Sequence, residues 1–144
     1  MLKRKVVLIT CVKGKYNGPL AAEELYKGAR FRNSLCVARN LNPDFIFILS
    51  ALHHILKLDE IIENYDLTLR DFTAAEKNNW AKEVTNQLAD LIDIENDIIT
   101  IIGGRDYTQP LLNHFEFENL MDGKGNFGQQ NTYLKELCNQ LREY

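Results

Sequence analysis

The sequence predicts an α/β domain of three layers, with a mainly parallel four-stranded sheet between helices. Short apolar runs at 5–10 (KVVLIT), 44–50 (DFIFILS) and 97–102 (DIITII) alternate with longer stretches of helical spacing, the pattern of βα units around a parallel sheet. Within each run the apolar residues are continuous instead of alternating, as expected for strands buried on both faces. At 144 residues, 45% hydrophobic and 26% charged, the chain has the size and composition of one soluble domain, 1–144, able to bury roughly 70% of its unfolded surface.

Each element follows from its local pattern. After the first strand, 19–40 reads as helical, opening near Pro19 and breaking near Gly28. The second strand, 44–50, is followed by a long connection at 51–72, whose weak periodicity predicts short helices or a functional loop. Thr73 opens TAAE, a capping-box pattern, and Trp80, Val84, Leu88 and Leu91 recur at helical spacing after it. The third strand, 97–102, leads into GGRDYTQPLLNHF, a turn and helix, and 116–121 reads as a weaker fourth strand. The loop DGKGNFGQQ then opens a last helix over 128–142, with Tyr133, Leu134, Leu137 and Leu141 facing inward. Numbering these four strands along the chain, the expected order in the sheet is 2-1-3-4, which sets the loops after the first and third strands side by side.

Charge and cysteine usage narrow the setting. A net charge of −3 argues against indiscriminate attraction to nucleic acid, while Lys3, Arg4, Lys5, Lys13 and Lys15 leave room for one positive face. Cysteines at 11, 36 and 138 form no CxxC pair, so reduced thiols and a cytoplasmic location are expected. No apolar stretch approaches the length of a signal or membrane segment. Neither metal nor cofactor is predicted, and His53 and His54, being adjacent, point about 100° apart in a helical turn and cannot chelate one ion.

Parallel βα units gather their strand-to-helix loops at one rim, where open α/β folds bind ligands. That rim collects Cys11, Lys13 and Lys15 from the first strand, Ser50 and His53 from the second, Gly103, Gly104, Arg105 and Tyr107 from the third, and Gly123, Gly125, Gly128 and Gln129 from the fourth. Cys11 beside two lysines suits a thiolate nucleophile with His53 as its base, or a small buried strand-end cysteine. Lys13 and Lys15 alternate along the loop and form either a two-pronged anion clamp or a solvated turn; one of them, desolvated, could also serve as an amine nucleophile or base. Asp66, in YDLTL, is an acceptor or base at the pocket mouth or a cap for its own turn. Paired glycines before Arg105 allow a ligand close to the backbone and a forked contact to a carboxylate or phosphate. Tyr16, Tyr65 and Tyr107 are available to stack a base, and Gln129 and Gln130 either read a base edge or ribose or form ordinary helix surface. GKGNFG is neither a Walker motif nor a dinucleotide fingerprint.

The stretches CVKGK (11–15), FILSALHHIL (47–56), YDLTL (65–69), GGRDYTQPLL (103–112) and DGKGNFGQQ (122–130) resemble a family of small bacterial and phage domains of unknown function. Its pattern runs Cys-x-Lys-x-Lys, Phe-Ile-Leu-Ser-Ala, Tyr-Asp-x-Thr-Leu, Gly-Arg-x-Tyr and a Gly-x-Gly…Gly-Gln-Gln close. The family is distantly similar to YaaA-like and uracil-DNA-glycosylase-like folds. One departure stands out: where the family has a turn ending in glycine after the serine, this chain reads Ala51-Leu52-His53-His54. The resemblance implies a common site built on these motifs.

Together these features predict a nucleotide- or nucleobase-binding pocket for an anionic small molecule or nucleic acid, with no membrane partner. Cys11, Lys13, His53 and Asp66 are the candidate catalytic residues. Lys15, Ser50, Tyr65, Gly104, Arg105, Tyr107, Gly125 and Gln129 are the candidate ligand contacts. Glycosidic, transfer or lyase chemistry is one expectation; a non-catalytic nucleic-acid or protein-binding module in stress response or phage defence is the other.

Overall fold

The computed structural model describes residues 3–142. Its elements are β1 (Lys5–Thr10), β2 (Leu20–Ala21), α1 (Ala22–Leu25), α2 (Ala29–Asn40), β3 (Phe45–Ser50), β4 (His54–Lys57), β5 (Ile61–Ile62), α3 (Ala74–Leu91), β6 (Ile98–Ile102), α4 (Arg105–Thr108), β7 (Glu118–Asn119) and α5 (Phe127–Arg142). The main sheet runs β4-β3-β1-β6-β7. β1 is its centre, parallel to β3 and to β6, and β6 is parallel to β7.

The expectation of four strands is corrected to five in a mixed sheet. The four anticipated strands stand in the anticipated relative order, but β4 adds an antiparallel edge, pairing Ile48 with Leu56 and Ser50 with His54. The segment holding His53 and His54 is therefore the turn and start of a hairpin, not a turn of helix. Sequence pattern hid it because Ile55 and Leu56 are both buried, so this edge strand lacks the alternation that advertises one. The fourth expected strand contracts from 116–121 to the two residues of β7. The helical reading of 19–40 begins too early, since Leu20–Ala21 pairs antiparallel with β5. The break lies at Gly28, whose φ of +102° suits a residue without a Cβ.

Helices cover both faces of the sheet because successive residues of β1 point to opposite sides and all four of its central ones are apolar. Val7 and Ile9 pack with Phe31, Val37 and Ala38 of α2 and Leu134 of α5. Val6 and Leu8 pack with Trp80, Ala81, Val84 and Leu88 of α3. Thr73 and Glu76 close the capping box that starts α3: each side chain accepts from the other's backbone N–H, at 3.1 and 2.9 Å.

The cysteines overturn a second expectation. Cys36 on α2 and Cys138 on α5 form a disulfide, with their Cα atoms 5.7 Å apart, leaving Cys11 as the free thiol. Sequence spacing could not reveal it, because the residues are 102 positions apart and meet only when the two helices pack together. Disulfides persist in oxidising compartments, so cysteine usage no longer supports a cytoplasmic location. Among the described residues no helix is long and apolar enough to cross a membrane.

Candidate functional site

The carboxyl ends of β1 and β3 carry a compact polar cluster. Cys11 follows β1 directly, its N–H donating to the Leu49 carbonyl at 3.0 Å, as the strand's last tie to β3. Its Sγ lies 3.1 Å from the Tyr107 hydroxyl, while Tyr107 itself stands edge-on to Trp80. Lys15 pairs with Tyr26 in an isolated bridge, and this folds its side chain inward. The ammonium donates to the Lys13 carbonyl at 2.9 Å and sits 4.5 Å above the Tyr65 ring and 5.8 Å from that of Tyr26. Burial pushes the Lys15 pKa down, opposed by attraction to Cys11 and Asp66. Both the carbonyl and the ring face favour the charged form, so geometry makes Lys15 a held cation.

Beneath that cation runs a chain of hydroxyls. Ser50 Oγ is 2.7 Å from the Tyr65 hydroxyl, which is 2.6 Å from that of Tyr26. Ser50 Oγ also accepts the His53 N–H at 3.1 Å. Burial raises the pKa of Tyr26, Tyr65 and Tyr107 well above that of a free phenol, so all three remain neutral hydroxyls through the physiological range. Three hydroxyl protons share the two bonds of the Ser50–Tyr65–Tyr26 chain, which leaves one proton for a further acceptor.

His53 meets Tyr65 edge-on, ring centres 5.4 Å apart, and burial lowers its pKa. The expected Cys11–His53 pair is therefore not assembled: a tyrosine hydroxyl reaches the thiol, while the imidazole belongs to the tyrosine cluster. His54 has a φ of +67°, in the left-handed region that favours glycine.

Further along the rim a cavity of about 530 Å³ opens between the ends of β6 and β7 and the start of α5. Gly103, Gly104, Arg105, Asn119, Gly125 and Gln130 are among the residues lining it. The two neighbouring glycines differ in cause. A side chain at Gly103 would collide with Thr10, whereas one at Gly104 would meet open space. Arg105 is exposed and pairs with no carboxylate among the described residues. Asn119 is 9% exposed and spends its Oδ1 on the Met121 N–H at 3.0 Å, leaving its amide NH₂ as a donor at the cavity. Gln130 braces the wall, donating to the Gly125 carbonyl and accepting from Arg30, each at 3.0 Å. Asp122 contributes a carboxylate to the same wall.

The predicted residues thus fall into two groups. Cys11, Lys15, Ser50, His53, Tyr65 and Tyr107 form the polar cluster; Gly104, Arg105 and Gly125 surround the cavity. Lys13 and Asp66 are exposed at the cluster's edge. Gln129 is reassigned to helix capping: its Oε1 accepts the Asn126 N–H at 2.8 Å while Asn126 Oδ1 accepts the Gln129 N–H at 2.9 Å. Lys13, Lys15 and Arg105 do not converge as one clamp, because Lys15 is turned onto Tyr65 and Arg105 toward the cavity. Two contributors escaped sequence reasoning. Tyr26 had no visible signal, while Asn119 had a faint one, a neutral amide inside the otherwise charged and apolar run 115–121. Among the described residues no cluster of three His, Cys, Asp or Glu side chains could hold a metal.

A family model covers every one of these residues, matching 6–136. The chain belongs to DUF6884, a family of unknown function. No curated protein and no solved structure matches it. The DUF6884 match takes in both the hydroxyl cluster and the glycine-lined cavity, so the two lie within the family's domain.

Proposed function

We propose that the strand-end rim binds an anionic, nucleotide-type ligand, its phosphate held in the cavity by Arg105 and Asn119. One observation carries this reading: a cavity at the ends of parallel strands presents a guanidinium and an amide donor that have no protein partner among the described residues, and Gly104 leaves open space there for a ligand close to the backbone. The wider resemblance to YaaA-like and uracil-DNA-glycosylase-like folds belongs to the same proposal.

The neighbouring cluster supports glycosidic, transfer or lyase chemistry at that rim, since a held cation and neutral hydroxyls with a spare proton stabilise charge developing on a leaving group. A non-catalytic nucleic-acid or protein-binding module is the second reading. It is favoured by one contact, the thiol of Cys11 against a tyrosine hydroxyl in place of a base.

Calorimetric titration with thymidine monophosphate tests the binding. Arg105→Ala is expected to weaken it by about 1.5–3 kcal/mol, the range for hydrogen bonds to charged groups, and Arg105→Lys should not restore it, because an ammonium lacks the planar fork. Asn119→Asp keeps the acceptor for Met121 but sets a carboxylate against the phosphate, so it too should weaken binding. Unchanged affinity in all three variants, each folded, rules the reading out.

A further inference from the structure

Arg105 lines a second cavity as well, of about 300 Å³, on the side of α4 that faces the first turns of α3. We propose that the two cavities form one groove for single-stranded nucleic acid, with Arg105 at the junction and Lys77 contacting a phosphate adjacent to the one in the glycine-lined cavity. The inference rests on the anion reading above and specifies its substrate class as a phosphodiester-linked strand instead of a free nucleotide.

Charge and side-chain type both favour a strand. Lys77 and Arg105 are the second cavity's permanent cations, and its one carboxylate, Asp106, is held by Arg70 at 2.9 Å. Neutralised in that way, Asp106 offers little repulsion to a phosphate. Asn78, Gln109 and Asn113 supply amides that pair with base edges, and the His114 ring gives a flat face for stacking. A mononucleotide seated in the first cavity would leave these groups unused. A chain that continues past Arg105 uses them, and the shared arginine gives the two cavities a common phosphate-binding residue. The protein's net charge of −3 means that such binding depends on this local arrangement and not on bulk attraction.

Fluorescence anisotropy with a short labelled oligothymidylate, beside calorimetry with thymidine monophosphate, separates the outcomes. Wild type should bind the oligomer more tightly than the monophosphate. Lys77→Ala should weaken the oligomer about tenfold, flatten the dependence of its affinity on salt by about one counterion, and leave the monophosphate unaffected. Arg105→Ala should weaken both. An oligomer bound no tighter than the monophosphate, or unchanged by Lys77→Ala, overturns the groove while the anion pocket stands. Binding of neither probe to the wild-type protein overturns the pocket itself, and the groove with it.

Discussion

His54 shows how a single residue can hold a turn whose backbone favours glycine. Its φ of +67° places a Cβ where only glycine sits without strain, and the left-handed conformation disfavours other residues by roughly 1–2 kcal/mol. Because glycine also loses more chain entropy on folding, only part of that is recoverable. His54→Gly should stabilise the protein by about 0.5–1 kcal/mol, read as a higher urea midpoint at unchanged slope. A lower midpoint would mean that the half-buried imidazole contributes more than the backbone strain removes. The same residue-level care separates Gly103 from Gly104. The first is required by Thr10, so its presence in GGR says nothing of a ligand; the second faces open space at the cavity and is the glycine with a claim on function.

Two helices begin with reciprocal caps, but their starts serve different parts of the rim. Asn126 and Gln129 cap α5 next to Gln130, which holds the cavity wall; Thr73 and Glu76 cap α3 away from that cavity. Replacing either first-cap residue with alanine removes a backbone hydrogen bond worth about 1 kcal/mol. Asn126→Ala and Thr73→Ala should therefore cost similar stability, yet only Asn126→Ala should also weaken thymidine monophosphate, since the frayed turn carries Gln130. Equal monophosphate affinity in both variants would show that the cavity does not depend on the start of α5. The α3 cap was legible as TAAE because both partners lie within four residues. The α5 cap was equally local, yet glycines around it invited a ligand reading of Gln129.

Across the whole molecule the Cys36–Cys138 bond joins α2 to α5 over the face that holds Val7 and Ile9. In the chain-entropy model a loop near 100 residues gives roughly 4.7 kcal/mol, less any strain. Unfolding under non-reducing conditions should therefore need more denaturant than after reduction, and thiol titration of the unfolded, unreduced chain should find one free thiol, Cys11. Three free thiols would refute the bond. Much of the architecture could be read from local pattern. The unbroken apolar runs of 5–10, 44–50 and 97–102 determined three buried strands, because hydrophobic continuity records burial on both faces. Thr73 with Glu76 determined where α3 starts, and the motif loops determined that Cys11, Lys15, Ser50, Arg105 and Tyr107 belong to one rim. Tertiary structure alone decided that Ile55 and Leu56 close an edge hairpin, that Cys36 meets Cys138, that Tyr26 joins Tyr65 and Ser50, and that Asn119 offers its amide to the cavity. Each of these depends on elements far apart in the chain arriving at one place, and periodicity reports only the face a residue occupies, never the partner that waits there.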